Sequence, residues 1–392
     1  MDSKICIAPW KHFAIGNHPR GTIISPCCRF SFKNSQYNPF KFLPANKAVI
    51  SEEYFGDIRK RMLNGEQLPE CAKCWMEENN SVTSMRQKLN REFHFDDRNN
   101  FKPKYIEIMF SNLCNLACRM CDITQSSSWA TLYNKTFVPN GIVDHTIVPQ
   151  EFIVNDRAKT DVMKFDMSEL EKIDLSNITK VKILGGEPML SPEHESFLQS
   201  LVKQIKQTKD LTLVYHTNCT KKPSQSVLEV WKSIGKVELN FSIDGFNTVN
   251  EYQRINSSWQ DIVDTLQWYI DLDLDLGMNI HSVLSNITIW SYEKLLIWTK
   301  EMLGYTANTF DFVQNPKYLS LTNLPDELKT RCKNMVNDWS IDSNKKELIV
   351  EYMNTIQYNK ELWQEFVTKM SMIDKTINMN LIETVPELKG FL

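Results

Sequence analysis

The sequence predicts an α/β protein built around a mainly parallel sheet. Three observations carry that prediction. After residue 100, short extended apolar runs alternate with longer stretches in which apolar residues recur at helical spacing, the order expected of strand–helix–strand units. Hydrophobic residues make up 42% and aromatic residues 11% of the 392, which supports a sizeable core and excludes a disordered or collagen-like chain. No run approaches the ~18 consecutive apolar residues of a membrane span. The start, Met1-Asp2-Ser3-Lys4-Ile5-Cys6, lacks an apolar signal core, so a cytoplasmic protein is expected. The formal charge of −3, with no long Lys/Arg run, gives no footprint for non-specific nucleic-acid binding.

The expected strands lie near 104–110, 180–184, 211–217, 237–243, 278–284 and 309–313. The first helical face begins after Pro192, with Phe197, Leu198, Leu201, Val202 and Ile205 on one side. Others cover about 224–234, 257–272 and 290–303. Six such units are two short of an eightfold barrel. Residues 136–179 interrupt them as a long insertion, either a substrate lid or a packed extra layer. Beyond 315 a proline-bounded linker leads to helices near 326–339 and 343–373. On the second, Leu348, Ile349, Tyr352, Met353, Ile356, Leu362, Trp363 and Phe366 form an apolar stripe, for packing or for a peptide. Three regions result: 1–100, 101–314 and 315–392.

Ten cysteines are the chemical signal, eight of them within the first 121 residues. In a long chain without an export signal such crowding points to metal rather than disulfides. Cys114, Cys118 and Cys121 form a C-x3-C-x2-C triplet just after the first of these strands. Three thiolates suit a four-iron cluster with one open iron, and suit zinc only if a fourth ligand comes from elsewhere. A dispersed set comprises Cys6, the pair Cys27-Cys28, and Cys71-Ala-Lys-Cys74. Its spacing fits zinc as well as a cluster. Cys332 lies in a helical pattern and reads as packing.

With Gly185-Gly186-Glu187-Pro188 at the end of the second strand, the triplet resembles the radical S-adenosylmethionine (SAM) superfamily. The resemblance implies a partial (β/α)6 TIM-like barrel. It implies that the triplet binds a [4Fe–4S] cluster whose open iron holds SAM, and that Gly185, Gly186 and Glu187 receive the SAM amino group. Two glycines admit close backbone approach, and a carboxylate complements an ammonium. His216-Thr217-Asn218-Cys219-Thr220 is similar to a Thr-Asn-Gly-Thr strand end, which implies a cofactor contact at Asn218. Cys219 stands where glycine is usual, either as a small buried residue or as a hydrogen-atom donor. Phe241-Ser242-Ile243-Asp244-Gly245 resembles the Ser-Ile-Asp-Gly strand end of peptide-modifying members. By that likeness Ser242 meets the SAM ribose, Arg254 its carboxylate and Asn286 another part of SAM. Asp244 is a substrate contact or proton acceptor, or else a structural Asp-Gly turn. His281 stays unassigned.

The first hundred residues resemble the SPASM/twitch auxiliary module, with Cys6-Ile-Ala-Pro9-Trp10 and Gly21 through Pro26-Cys27-Cys28 close to its patterns. The module here precedes the barrel rather than following it. It implies a second [4Fe–4S] cluster on Cys6, Cys27, Cys71 and Cys74. Adjacent strand side chains face opposite ways, so Cys28 is the spare, and exchanged roles for Cys27 and Cys28 stay open. A helix is expected to follow, carrying Glu77, Glu78, Ser84 and Arg86. The resulting expectation is an enzyme that cleaves SAM reductively and abstracts a substrate hydrogen atom, fed by an external one-electron reductant such as flavodoxin or ferredoxin. The expected substrate is a peptide or protein. A carbohydrate, nucleoside or other small molecule is the alternative, and a non-catalytic electron carrier or sensor is a third.

Overall fold

The computed structural model describes residues 4–18, 21–35, 37, 52–79, 83–95, 100–159, 162–163, 167–171, 173–306 and 308–392. In chain order the strands are β1 (His12–His18), β2 (Gly21–Ser25), β3 (Tyr105–Met109), β4 (Ala117–Cys118), β5 (Ile153–Val154) and β6 (Arg157–Ala158). They continue as β7 (Lys180–Leu184), β8 (Lys-free Thr212–Thr217), β9 (Lys236–Ser242), β10 (Arg254–Ile255), β11 (Leu276–Leu284) and β12 (Asn308–Phe312). Each of the six strands expected after residue 100 is present, with ends within two residues of the expectation. Among the described residues, eight of the twelve strands belong to one sheet.

The chain divides into two compact units, residues 1–112, 162–216 and 223–238 in the first and 113–161, 217–222 and 239–392 in the second. In the first unit the strand order is β2-β1-β3-β7-β8, followed by the opening residues of β9. β1 runs parallel to β3 with Phe13 beside Ile106, so the N-terminal segment extends the sheet as well as carrying cysteines. β2 returns antiparallel on β1.

The pleat separates two kinds of side chain. Ile106 and Ile108 on β3, Val181 and Ile183 on β7, and Leu213 and Tyr215 on β8 share one fully buried face through the register of the parallel pairs. The helix Pro192–Gln204 belongs to this apolar side. Its Phe197, Leu198 and Leu201 are buried at the expected spacing, Val202 is only half-buried, and Phe197 stacks near Phe110. Each such burial contributes about 1.5–3 kcal/mol. The opposite face carries His12, Tyr105, Glu107, Lys180 and Lys182.

The second unit holds the end of β9, then β11 and β12. Its polar strand face joins Asn240, Asn279, His281, Thr309 and Asp311, with the Asn279 amide donating to Asn240 and Thr309. His281 lies here, 2.9 Å from Thr309 and 3.4 Å from Asp311. The helices Trp259–Ile270 and Tyr292–Leu303 match their expected spans.

The expected helix over 343–373 is two helices, Ser343–Asn354 and Lys360–Ile377. The break falls where Asn359 turns its side chain onto the backbone N–H groups of Glu361 and Leu362, starting a new helix. The proposed stripe breaks with it: Leu348 and Ile356 are 50% and 61% exposed, whereas Ile349, Met353, Trp363 and Phe366 are buried. Ser84 likewise starts a helix of its own, Met85–Glu92, through a capping box with Gln87. The expected single helix over 77–86 is therefore two. The insertion at 136–179 falls partly outside the described residues; within them β5 and β6 form a short hairpin. Among the described residues, no helix is long and apolar enough to cross a membrane.

Candidate metal centre

The triplet occupies a loop of the second unit. Cys114 is fixed from the helix that follows: its N–H donates to Ser127 Oγ (3.3 Å) and its carbonyl accepts from Ser128 Oγ (2.7 Å). Trp129 Nε1 donates to the Cys118 carbonyl at 2.9 Å. On the other side β4 pairs antiparallel with β10, which sets Cys118 beside Arg254. The backbone is thus held before the thiols are considered.

The three thiols act on one another. Cys118 Sγ is buried and held below the usual thiol range, first by a hydrogen bond from Cys121 and then by the Arg254 guanidinium. Cys114 lies close enough to add to the electrostatic field at Cys121. Its sulfur accepts from the Leu116 N–H at 3.5 Å, and the Asn218 amide stands 3.9 Å away. Three thiols gathered beside a guanidinium form the donor set an anionic iron–sulfur cluster requires once they are deprotonated.

Arg254 and Asp244, given separate roles by the sequence, meet here. Arg254 Nη2 donates to Asp244 Oδ1 at 3.0 Å, Nε lies 2.8 Å from Oδ2, and Nη1 reaches Cys118 Sγ at 3.6 Å. Asp244 is fully buried and also accepts the Val283 N–H at 2.9 Å. Its carboxylate is thus shared between Arg254 and strand β11. The adjoining Gly245 is required: a Cβ there would lie 2.9 Å from both Ser291 Oγ and Val249 Cγ1. Ser242 is half-buried at the end of β9. Asn286 is fully buried, its amide donating to the Tyr318 carbonyl, and its Oδ1 has no hydrogen-bond partner among the described residues.

Asn218 belongs to a small network rather than standing alone. Its amide donates to Asn115 Oδ1 (3.0 Å), its Oδ1 accepts from Thr220, and Asn115 returns a hydrogen bond to Thr220 Oγ1 at 2.8 Å. The strand end after β8 is thereby tied to the cysteine loop. Cys219 takes a left-handed backbone (φ +61°), which explains why glycine suits this position. Its thiol is buried and donates to the Ile262 carbonyl at 3.8 Å, a core environment.

Gly185, Gly186 and Glu187 belong to the first unit, so the residues expected to contact SAM are divided between the two units. Gly185 has φ +129°, and a Cβ would come within 2.8 Å of the Ser111 carbonyl, to which Gly186 N–H donates at 3.0 Å. Glu187 is buried and accepts the Met189 N–H at 3.2 Å, opening a short 3-10 turn.

The dispersed cysteines also meet within the first unit. Cys6, Cys27, Cys71 and Cys74 line one small cavity together with Arg86 and Leu89. Arg86 donates to the Ile5 carbonyl (3.0 Å) and pairs with Glu78 (2.5 Å), joining the segment of Cys6 to the helix of Cys74. It stacks 4.7 Å from Trp75, whose Nε1 donates to the Leu68 carbonyl. Burial pushes the Cys6 thiol up to about 12, and the Cys27 and Cys71 thiols rise for the same first cause. Cys28 is an exposed residue whose thiol donates instead to Glu107. Among the described residues, no group of three His, Cys, Asp or Glu is placed to hold a single metal ion.

Comparison with known proteins agrees with the cysteine loop. Residues 108–298 match the family model of the radical SAM superfamily. That match covers just under half of the chain. Members of that superfamily are enzymes that use a [4Fe–4S] cluster and SAM, and the three gathered thiols and Arg254 fit such a cluster. The GTP 3′,8-cyclase of Sulfurovum sp. (strain NBC37-1) is 23% identical over 176 residues, 45% of this chain and 44% of the cyclase. The match therefore spans less than half of that relative. Among solved structures, native anSMEcpe with bound AdoMet is similar at TM-score 0.41 and 16% identity, over 66% of this chain and 63% of that one. Streptococcus suis SuiB bound to precursor peptide SuiA gives 0.39 and 13%, over 83% and 68%.

Asn115, Thr220, Trp129 and Arg119 were not singled out in the sequence. Asn115 and Arg119 lie inside the motif, where their polarity among buried neighbours is a signal in retrospect. Thr220 and Trp129 carry none beyond their proximity to it.

Proposed function

We propose that the protein is a radical SAM enzyme that abstracts a hydrogen atom from a peptide or protein substrate. The observation that supports this most is the convergence of Cys114, Cys118 and Cys121, with Arg254 donating to Cys118, inside the matched domain. Cluster and SAM, when bound, supply a one-electron cleavage of the sulfonium and a 5′-deoxyadenosyl radical. The chain's own residues bind and orient. The three cysteines ligate, Arg254 neutralises thiolate charge while Asp244 fixes its fork, and Asn218 is held by Asn115 to face the cysteine loop. Within the second unit, Ser242 and Asn286 hold parts of SAM. Cys219 is assigned to packing.

Cys6, Cys27, Cys71 and Cys74 hold a second [4Fe–4S] cluster, with Arg86 as its charge partner. A second cluster suits a net oxidation by accepting or relaying an electron from substrate. The peptide reading rests on the Ser242-Ile-Asp-Gly245 strand end and on this second cysteine set. The similarity to a GTP 3′,8-cyclase favours a nucleotide as the second reading. An external reductant of the flavodoxin or ferredoxin kind supplies the electron. Anaerobic incubation with SAM, dithionite and either a peptide library or nucleoside triphosphates separates the two. The expected result is 5′-deoxyadenosine formation stimulated by peptide; stimulation by a nucleotide alone would transfer the assignment.

A further inference from the structure

The C-terminal helix reaches the cysteine loop through one buried ion pair. Arg119, between Cys118 and Cys121, has a fully buried side chain. Its Nη2 donates to Asp374 Oδ1 at 2.8 Å, across 255 residues of sequence, and its Nε donates to the Tyr252 carbonyl at 2.8 Å. The guanidinium carbon lies 3.8 Å from the centre of the Tyr252 ring, and the Tyr252 hydroxyl donates to the other Asp374 oxygen at 3.0 Å. Asp374 Oδ2 also accepts the Leu381 N–H at 2.9 Å. Both carboxylate oxygens and most of the guanidinium are therefore committed.

Helix stability does not explain this aspartate. It sits in the last turn of Lys360–Ile377, where the negative end of the helix dipole disfavours a carboxylate. Arg119 is what compensates it. The arginine backbone is equally constrained, since its N–H donates to the Gln253 carbonyl at 2.9 Å beside the β4–β10 pair.

We propose that Asp374 is a positioning residue for the cysteine loop: acting through Arg119 and Tyr252, it makes the C-terminal helix a structural requirement for a stable, SAM-responsive cluster on Cys114, Cys118 and Cys121. This rests on the assignment of a cluster to the triplet. The same helix has a second ionic contact, Lys369 to Asp144 at 2.6 Å, which does not involve the cysteine loop and serves as a control. Outer partners of metal ligands govern retention by about tenfold or more.

The test compares reconstituted wild-type protein with Asp374→Asn, Asp374→Glu, Tyr252→Phe and Lys369→Met. The readouts are the SAM-induced change in the EPR spectrum of the reduced protein and the rate of iron release to a chelator, both at matched far-UV circular dichroism. Asp374→Asn is expected to release iron about tenfold faster and to lose most of the SAM-shifted signal. Asp374→Glu restores part of it, Tyr252→Phe is intermediate, and Lys369→Met behaves as wild type. Should Asp374→Asn fail to fold, Tyr252→Phe carries the same test by removing one hydroxyl. Wild-type behaviour in both Asp374→Asn and Tyr252→Phe overturns the proposal, as does an equal loss in Lys369→Met, which would reduce it to general helix docking. A wild-type protein that loads iron but shows no SAM response would instead overturn the functional reading, and the proposal with it.

Discussion

The two cysteine sets solve the same problem in opposite ways. The triplet of the second unit is compact in sequence, and its supports come from far away: Arg254 on β10, Asp244 after β9, and Asp374 in the C-terminal helix. The four-cysteine set of the first unit is spread from Cys6 to Cys74, yet its charge partner, Arg86, lies only twelve residues beyond the last ligand. The thiols differ accordingly. Cys118 is drawn towards its thiolate by Cys121 and Arg254, whereas burial keeps Cys6, Cys27 and Cys71 protonated.

The comparison breaks most visibly at the level of a whole cluster. Cys27→Ser should cut iron from about eight to about four per chain, while Cys28→Ser, whose thiol faces Glu107, should leave the count unchanged. Equal losses, read by iron and sulfide analysis, would exchange the two cysteines. Next in size is the buried pair of the triplet site. Asp244→Asn leaves the buried Arg254 guanidinium without its carboxylate partner, and should cost about 4 kcal/mol in denaturant unfolding.

A third difference is pH dependence. His194 in the first unit is buried against Tyr215, and burial lowers its pKa to about 4. The folded state binds its proton less readily than the unfolded chain does. The stabilising contribution is therefore complete above pH 6.5 and is lost as pH falls from there to about 4. The loss is about 3 kcal/mol at most, and His194→Gln should flatten it. The smallest expected effect is at Ile356, which is 61% exposed despite its place in the apolar pattern: Ile356→Ser should shift stability by no more than about 0.5 kcal/mol.

The sequence made the strand–helix alternation legible because each strand is short, apolar and bounded by polar turns. The triplet was legible because its three ligands share one loop. What escaped were features made by distant residues meeting. The joining of Asp244 to Arg254 depends on β10 pairing with β4, and neither two-residue strand has a sequence period. Arg119 and Asp374 each look like surface charges until the chain folds them together. The break at 355–359 was hidden because the apolar spacing continues through it, while Asn359 decides the backbone locally. The parallel placement of β1 beside β3 was likewise invisible, since a seven-residue strand does not announce its neighbour.

The central claim is that Cys114, Cys118 and Cys121 hold a cluster that cleaves SAM. Its most direct test is 5′-deoxyadenosine formation by anaerobically reconstituted protein with SAM and dithionite, beside a Cys118→Ala control of equal fold content. Production that depends on Cys118 is the predicted result. Equal, background-level 5′-deoxyadenosine from both proteins, with iron bound in the wild type, would contradict it.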